Sequence, residues 1–327
     1  MNERGNIMIK KKYLLLVVGL IVIISIAGCT VRSNKQKNVE DPKKIEEQMA
    51  QTEKREKEKI ERDFEVLIKE NSEPYKLVKY IDENISRASF EFAEKMVIEL
   101  ERMQESYAIH YMDELFKGDR QSTLAKVFPN YEFDSSKINI IEDEELKKLV
   151  TDIVDGKYKI VNAEGAFYPA IDYKVLNGYK QYISDEISEY LEIMAIHLDN
   201  PPMIDAALTI SWDDLSDRLI NTEKYLRKYV DGVKSEEITR LYGEYLVMYM
   251  QGGDNTPIYN KEDKKIIEDV LNSYKKTIAN DKEGITGSII SKYLKVIEEN
   301  NYIIDDVVTS KIIDLNNEAI GNLEEHK

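Results

Sequence analysis

What this chain lacks narrows its fold more than what it contains. Its 327 residues include only 14 glycines and 7 prolines, below the shares of about 7% and 5% usual in soluble proteins. Those two residues are the ones that interrupt helices, so their scarcity leaves long stretches free to stay helical. The stretches carry helical spacing. Ala93, Met96, Leu100, Met103, Tyr107 and Tyr111 fall on one face of a helix expected from about Ser86 to Phe116. The fold class is therefore mainly α, built of helical hairpins or bundles, and 42% hydrophobic residues provide for one or two cores. A single cysteine excludes an internal disulfide, so packing alone must hold the folded part together.

That cysteine stands where an apolar run stops. Arg4, Lys10, Lys11 and Lys12 precede an uncharged run from Tyr13 to Ala27. At about 15 residues the run suits a signal-peptide core and falls short of the roughly 20 that span a bilayer. It closes on Ile26-Ala27-Gly28-Cys29, which resembles the lipobox of bacterial lipoproteins. The resemblance implies that Cys29 takes a lipid carrying palmitate-type chains and that residues 1–28 are removed as a signal peptide. The mature protein is then expected on the extracytoplasmic face of the cell membrane. Two acyl chains suffice for stable anchoring, each buried CH₂ contributing about 0.8 kcal/mol. An uncleaved membrane helix is the alternative, and it leaves the same topology because the lysines hold the N-terminus inside.

Charge narrows the partners. Removing a segment of net charge +3, four basic residues against Glu3, takes the chain from −16 to −19. Nucleic acid is excluded, since phosphates require a basic footprint. Flat adsorption on anionic lipid is disfavoured too, so the anchor does the holding. The expected partners are the membrane, through the lipid, and a cell-wall component or envelope protein.

Beyond the signal, residues 29–40 read as a flexible tether and 41–70 as a charged stalk helix, with Asp41 as N-cap and Pro42 at the first helical position. Glu53/Lys57, Glu58/Arg62 and Glu65/Lys69 are i,i+4 pairs in the stabilising order. Coiled-coil composition is present, but ten residues without a larger apolar side chain, between Met49 and Ile60, break any heptad seam. A helical region over 71–137 and a helical domain over 138–315 follow, then a polar tail over 316–327. Residues 120–140 read as irregular, with "YEF" and "INI" as short strands. A minor β or irregular segment is expected near 157–172. Helices are further expected over about Tyr173–Ile183, Asp185–Leu198, Met203–Ile210, Ser211–Tyr229, Ser235–Met250, Lys261–Ile278, Thr286–Asn300 and Asp305–Leu315. The stretch from Leu219 to Met250 resembles tetratricopeptide helical pairs, but no period of about 34 residues repeats, so it implies hairpin packing only. "AEGAFYPAIDY" with "DNPPMIDAALTISWDDL" resembles uncharacterised extracellular proteins of Gram-positive bacteria, which implies no function.

Chemistry has few footholds. With three histidines (His110, His197, His326) and one cysteine, no metal set and no cofactor is expected. His110 and Glu114 stand one turn apart, and His197 lies near a helix end, where a cation suits the dipole. Ser273 and Lys276 match Ser-x-x-Lys without the partner motifs of penicillin-recognising enzymes. The remaining candidates are carboxylates among aromatics: Glu164, Asp172, Asp205 and Asp213, with Phe167, Tyr168, Tyr173 and Trp212. Of these, Glu164, Tyr168, Asp172, Trp212 and Asp213 are the candidate binding residues, an arrangement suited to stacking plus hydrogen bonding. The leading reading is a non-catalytic, lipid-anchored binding module at the cell surface. A carboxylate-dependent hydrolase of wall glycan needs two acids a fixed distance apart. A transporter substrate-binding lipoprotein requires more strands than this chain shows.

Overall fold

A computed structural model describes residues 42–130 and 132–325. Cys29, the signal segment, the tether, Asp41, Tyr131 of the "YEF" triplet and His326 lie outside the described residues. The fold is mainly α: thirteen α-helices and three two-stranded antiparallel sheets among the described residues.

Helix α1 spans Pro42–Lys69, and its residues from Glu53 onward belong to the larger compact unit. Residues 46–52 of the helix are exposed, and Glu53 pairs with Lys57 at 2.7 Å as the i,i+4 spacing predicts. Farther along, the helix is not a solvated stalk. Ile60 and Phe64 are buried, and the Phe64 ring meets Phe92 edge-on at 5.8 Å. Glu65 turns away from Lys69 to pair with Lys95 at 3.1 Å, because the adjacent helix offers a cation across the packing.

Phe64 is received by α2 (Pro74–Asn84) and α3 (Phe90–Leu115). The Ser89 side chain caps α3 through the Phe92 N–H, and the expected stripe is buried from Ala93 to Met103 and at Tyr111. Two corrections follow in the next segment. Residues 120–127 form helix α4 (Arg120–Val127), fixed by buried Leu124, and 135–140 form a 3₁₀ turn capped by Asp134. The "INI" triplet therefore lies in that turn and forms no strand.

Helix α5 (Glu144–Asp155), capped by Asp143 and closed at Gly156, leads into the β1–β2 hairpin (Tyr158–Ala163 and Ala166–Ile171). Both turn residues, Glu164 and Gly165, have positive φ (52° and 80°), the two-residue geometry that matches strand twist. The Gln121 amide lies along β2: its Nε2 donates to the Phe167 carbonyl at 2.9 Å and its Oε1 accepts the Phe167 N–H at 2.8 Å. Gln104 of α3 donates to Gly156 O at 2.7 Å, and the Tyr158 hydroxyl donates back to Gln104 O at 2.6 Å. These bonds tie the hairpin to the helices of residues 71–137, so the two stretches share one core.

Short α6 (Tyr173–Leu176) and a 3₁₀ turn replace the single helix expected to Ile183. Then α7 (Asp185–Asp199) runs to a further correction: residues 203–208 are a hairpin, β3 (Met203–Ile204) and β4 (Ala207–Leu208), not a helix. Pro201 and Pro202 deny the segment helical N–H donors, and Asp205 and Ala206 take φ of 52° and 56° at its turn. This hairpin docks on β5–β6 (Gly252–Gly253 and Thr256–Pro257) through Asn255 N–H to Ala206 O at 3.0 Å. A Cβ on Gly253 would stand 2.1 Å from that same carbonyl, which is why glycine is required there.

The C-terminal half is layered from α8 (Trp212–Lys228), α9 (Ser235–Gln251), α10 (Glu268–Asn280) and α11 (Ile285–Glu299). Ser211 and Asp214 form a reciprocal capping box at α8. Residues 261–267 turn back on the sheet bridge Tyr259–Ile266, so the helix expected from Lys261 starts only at Glu268. The end of the chain is not a polar tail. After α12 (Asp306–Thr309), α13 (Lys311–Glu325) buries Ala319 and Leu323 against α9 and α11.

Tyrosine fills this core. Tyr190, Tyr242, Tyr245, Tyr249, Tyr274 and Tyr293 are among its largest wholly buried side chains. Most hydroxyls are satisfied internally: Tyr249 with Ser273 at 2.7 Å and Thr277 at 2.8 Å, and Tyr274 donating to Tyr249 O at 2.8 Å.

Candidate functional site

The sequence-selected residues do not converge. Glu164 occupies the exposed turn of β1–β2, and Tyr168 lies against the Phe116 ring at 5.2 Å. Asp172 accepts the Val175 N–H at 3.0 Å and so starts α6. Asp205 sits in the β3–β4 turn. Trp212 and Asp213 stand at the head of α8, Trp212 with its ring 6.3 Å from Tyr249 and Asp213 paired with Lys276. That lysine, bonded to the carboxylate, is the main cause holding Asp213 below its ordinary pKa. No hydrogen bond, ion pair or ring contact among the described residues joins the β1–β2 set to the α8 set. Asp172 is therefore occupied as a cap and Asp213 in a surface pair, while Glu164 and Asp205 stand in two different hairpin turns.

The other footholds resolve similarly. His110 is exposed beside Tyr107, while Glu114 pairs with Arg120 at 3.0 Å and with Lys117. Ser273 is buried against Tyr249, whereas Lys276 is at the surface, so Ser-x-x-Lys does not form a nucleophile and base. No group of three His, Cys, Asp or Glu positioned to hold a metal occurs among the described residues.

A groove does form at a place that no sequence motif marks. It lies between α7 and α8 with Tyr245 of α9 at its side, and has a volume of about 330 Å³. From α8, Arg218, Thr222 and Tyr225 line it at positions i, i+4 and i+7, one face of a helix. From α7 come Ile193 and Ile196, with Glu189 and Glu192. The lining is mixed: Ile193, Ile196 and the rings of Tyr225 and Tyr245 supply apolar surface, and Glu189, Glu192, Arg218, Asn221, Thr222, Lys224 and Lys228 supply polar and charged groups.

Two polar atoms of the lining residues are enclosed. Arg218 Nη1 and the Tyr225 hydroxyl are shut off from solvent, Tyr225 being only 2% exposed; the phenol interacts with Glu186 and the guanidinium with the Tyr245 hydroxyl. Burial, with Glu186 nearby, pushes the Tyr225 phenol well above its ordinary pKa, so it keeps its proton. His197 Nδ1 lies 2.9 Å from the Tyr245 hydroxyl. Burial first, then the charge of Arg218, lowers the His197 pKa, so its imidazole favours the neutral form. This corrects the reading of His197 as a cation on the helix dipole: the groove already holds a positive charge beside it.

Sequence reasoning missed Arg218, Thr222 and Tyr225. The one available signal was a cation and an aromatic seven residues apart on a helix whose opposite face is apolar, which many surface helices share.

No protein family model, curated protein or solved structure matches this chain.

Proposed function

We propose that this protein is a lipid-anchored, extracytoplasmic binding module of the bacterial cell surface, non-catalytic, with the α7–α8 groove as its ligand site. The binding part of the reading rests on the groove itself: a cleft of about 330 Å³ between α7 and α8, with Ile193 and Ile196 along one wall and charged side chains at its rim. The anchoring part rests on Ile26-Ala27-Gly28-Cys29 following an uncharged run too short to span a bilayer comfortably. Among the described residues no helix is long and apolar enough to cross a membrane.

The test is labelling with radioactive palmitate in a bacterial host, for wild type and Cys29→Ala. Wild type is expected to carry label, and protease added to intact cells is expected to digest it. The variant is expected to lose the label and retain the unprocessed length. Label persisting in Cys29→Ala, or protection from external protease, overturns the anchored reading.

A further inference from the structure

The α7–α8 groove carries two rungs of opposite charge. Glu189 of α7 and Lys228 of α8 pair across the helices at 2.5 Å. Arg218 sits near His197 at the other end, so the two helices run antiparallel. One turn along from the pair, at i+3 on α7 and i−4 on α8, stand Glu192 and Lys224, both lining the groove. This second rung repeats the charges of the first, and no ion pair closes it. The Lys224 ammonium has no partner among the described residues, and the Glu192 carboxylate accepts only the Asn177 amide, at 3.2 Å. Both side chains are exposed, so both are within reach of a ligand.

The rest of the lining limits what fits between them. Ile193 and Ile196 follow on α7, and Ile196 is 55% exposed, apolar surface that gains by being covered. Glu189 and Lys228 cancel each other, and the Arg218 guanidinium is engaged by the Tyr245 hydroxyl. The charges left open are an anion on α7 and a cation on α8. A ligand of one sign satisfies one wall and is repelled by the other, whereas a ligand carrying both signs satisfies both. The volume of about 330 Å³ lies at the small end of ligand pockets, which suits a compact ligand.

We infer that the open rung binds a small aliphatic zwitterion, its ammonium on Glu192, its carboxylate on Lys224 and its hydrocarbon side chain on Ile193 and Ile196. This rests on the binding reading of the groove and adds the ligand class. A free aliphatic amino acid and a dipeptide share this chemistry.

The experiment is equilibrium dialysis of labelled leucine against the full chain in nanodiscs, with empty nanodiscs subtracted. Saturable binding of one leucine per chain is expected. Lys224→Met and Glu192→Gln should each weaken it by about twofold to fivefold, the range for an exposed ion pair. Lys224→Arg, which keeps the charge, should stay within about twofold of wild type. Ile196→Ser should weaken binding by about threefold to tenfold through lost apolar contact. N-acetylleucine, which lacks the ammonium, and leucinamide, which lacks the carboxylate, should each compete more weakly than leucine. Leucyl-leucine competing more strongly than leucine names a dipeptide as the source; weaker competition names a free amino acid. All three substituted side chains are exposed, so thermal melts within a few degrees of wild type are expected and show that the groove is intact. The inference is overturned by absence of saturable binding, or by Lys224→Met and Glu192→Gln both binding as wild type does. Equal competition by N-acetylleucine or leucinamide overturns the zwitterion class alone, whereas Ile196→Ser binding as wild type does overturns the groove as the site. Palmitate labelling is read separately, so failure of the ligand class leaves the anchored reading standing, and the reverse.

Discussion

Lys234 and Glu101 form an ion pair deep in the fold, and replacing the lysine by methionine tests how the two halves of the helical unit are joined. Lys234 Nζ lies 2.8 Å from Glu101 Oε2, the side chains being 7% and 2% exposed. It also sits 4.7 Å from the centre of the Tyr190 ring, whose hydroxyl donates to the other oxygen of Glu101. The cluster thereby links α3, α7 and the turn before α9. Burial pulls the Lys234 pKa down, but Glu101, with Glu237 and Glu105 nearby, outweighs it and holds the ammonium above the ordinary lysine value. Lys234→Met leaves the Glu101 carboxylate buried with the hydroxyls of Tyr190 and Tyr173 as its neighbours. Removing one side of a buried pair costs about 3–5 kcal/mol, and that range already includes the loss of the contact with the Tyr190 ring. Urea unfolding of wild type, Lys234→Met, Glu101→Gln and the double variant measures this. The double variant should cost less than the two single changes added, by about 2 kcal/mol, because no unpaired charge remains. A single-variant cost below about 1 kcal/mol would refute the reasoning.

Further predictions concern backbone, termini and charge. Gly253→Ala forces a Cβ to 2.1 Å from the Ala206 carbonyl; it should separate the two small hairpins, and amide exchange at Asn255, whose N–H bonds Ala206 O, should become fast. Ala206→Gly relieves a residue held at φ 56° and should raise stability by about 0.5–1 kcal/mol in the same urea assay. Leu323→Ala removes a buried side chain near the end of α13 and should cost about 2–4 kcal/mol; a neutral result would restore the polar-tail reading. Asp281 is pushed above its ordinary pKa, first by burial and then by the charge of Glu223, although it accepts the Gly287 N–H. Its contribution to stability is fully present below the unfolded value and lost as pH rises through the raised one. Wild type should thus gain on Asp281→Asn as pH falls from 7 to 4, and a gap that is constant or widens the other way would contradict the assignment.

The local structure was largely legible and the site was not. The start of α8 at Ser211, with acids in its first turn, is read from residues within four positions and forms as the local chemistry requires. Errors fell where tertiary contacts outweighed local preference. Residues 203–208 read as helix by composition, yet pair as a hairpin because β5–β6 supplies their partner. Residues 316–325 read as polar, yet Ala319 and Leu323 at i and i+4 are the stripe that matters. Among site candidates, Asp172 and Asp213 show the limit most clearly. An acid among aromatics is visible in sequence, but whether it caps a helix, pairs with Lys276 or faces a cleft depends on neighbours that sequence does not place.

The helical class is readable from the chain alone, through few breakers and sustained 3.6-residue spacing. So is the Ile26-Ala27-Gly28-Cys29 stretch on which the proposed anchoring rests. The tertiary structure alone decided which charges are buried. Glu101, Lys234 and Glu223 look like any other surface charges in a chain that is 33% charged. They are sheltered only because α3, α8, α9 and α11 meet around them. Arg218 is a further case, a common residue whose Nη1 is shut off from solvent only because α7 and α9 pack beside α8. Such effects depend on pairwise distance in space, and local periodicity fixes only which face of its own helix a residue occupies.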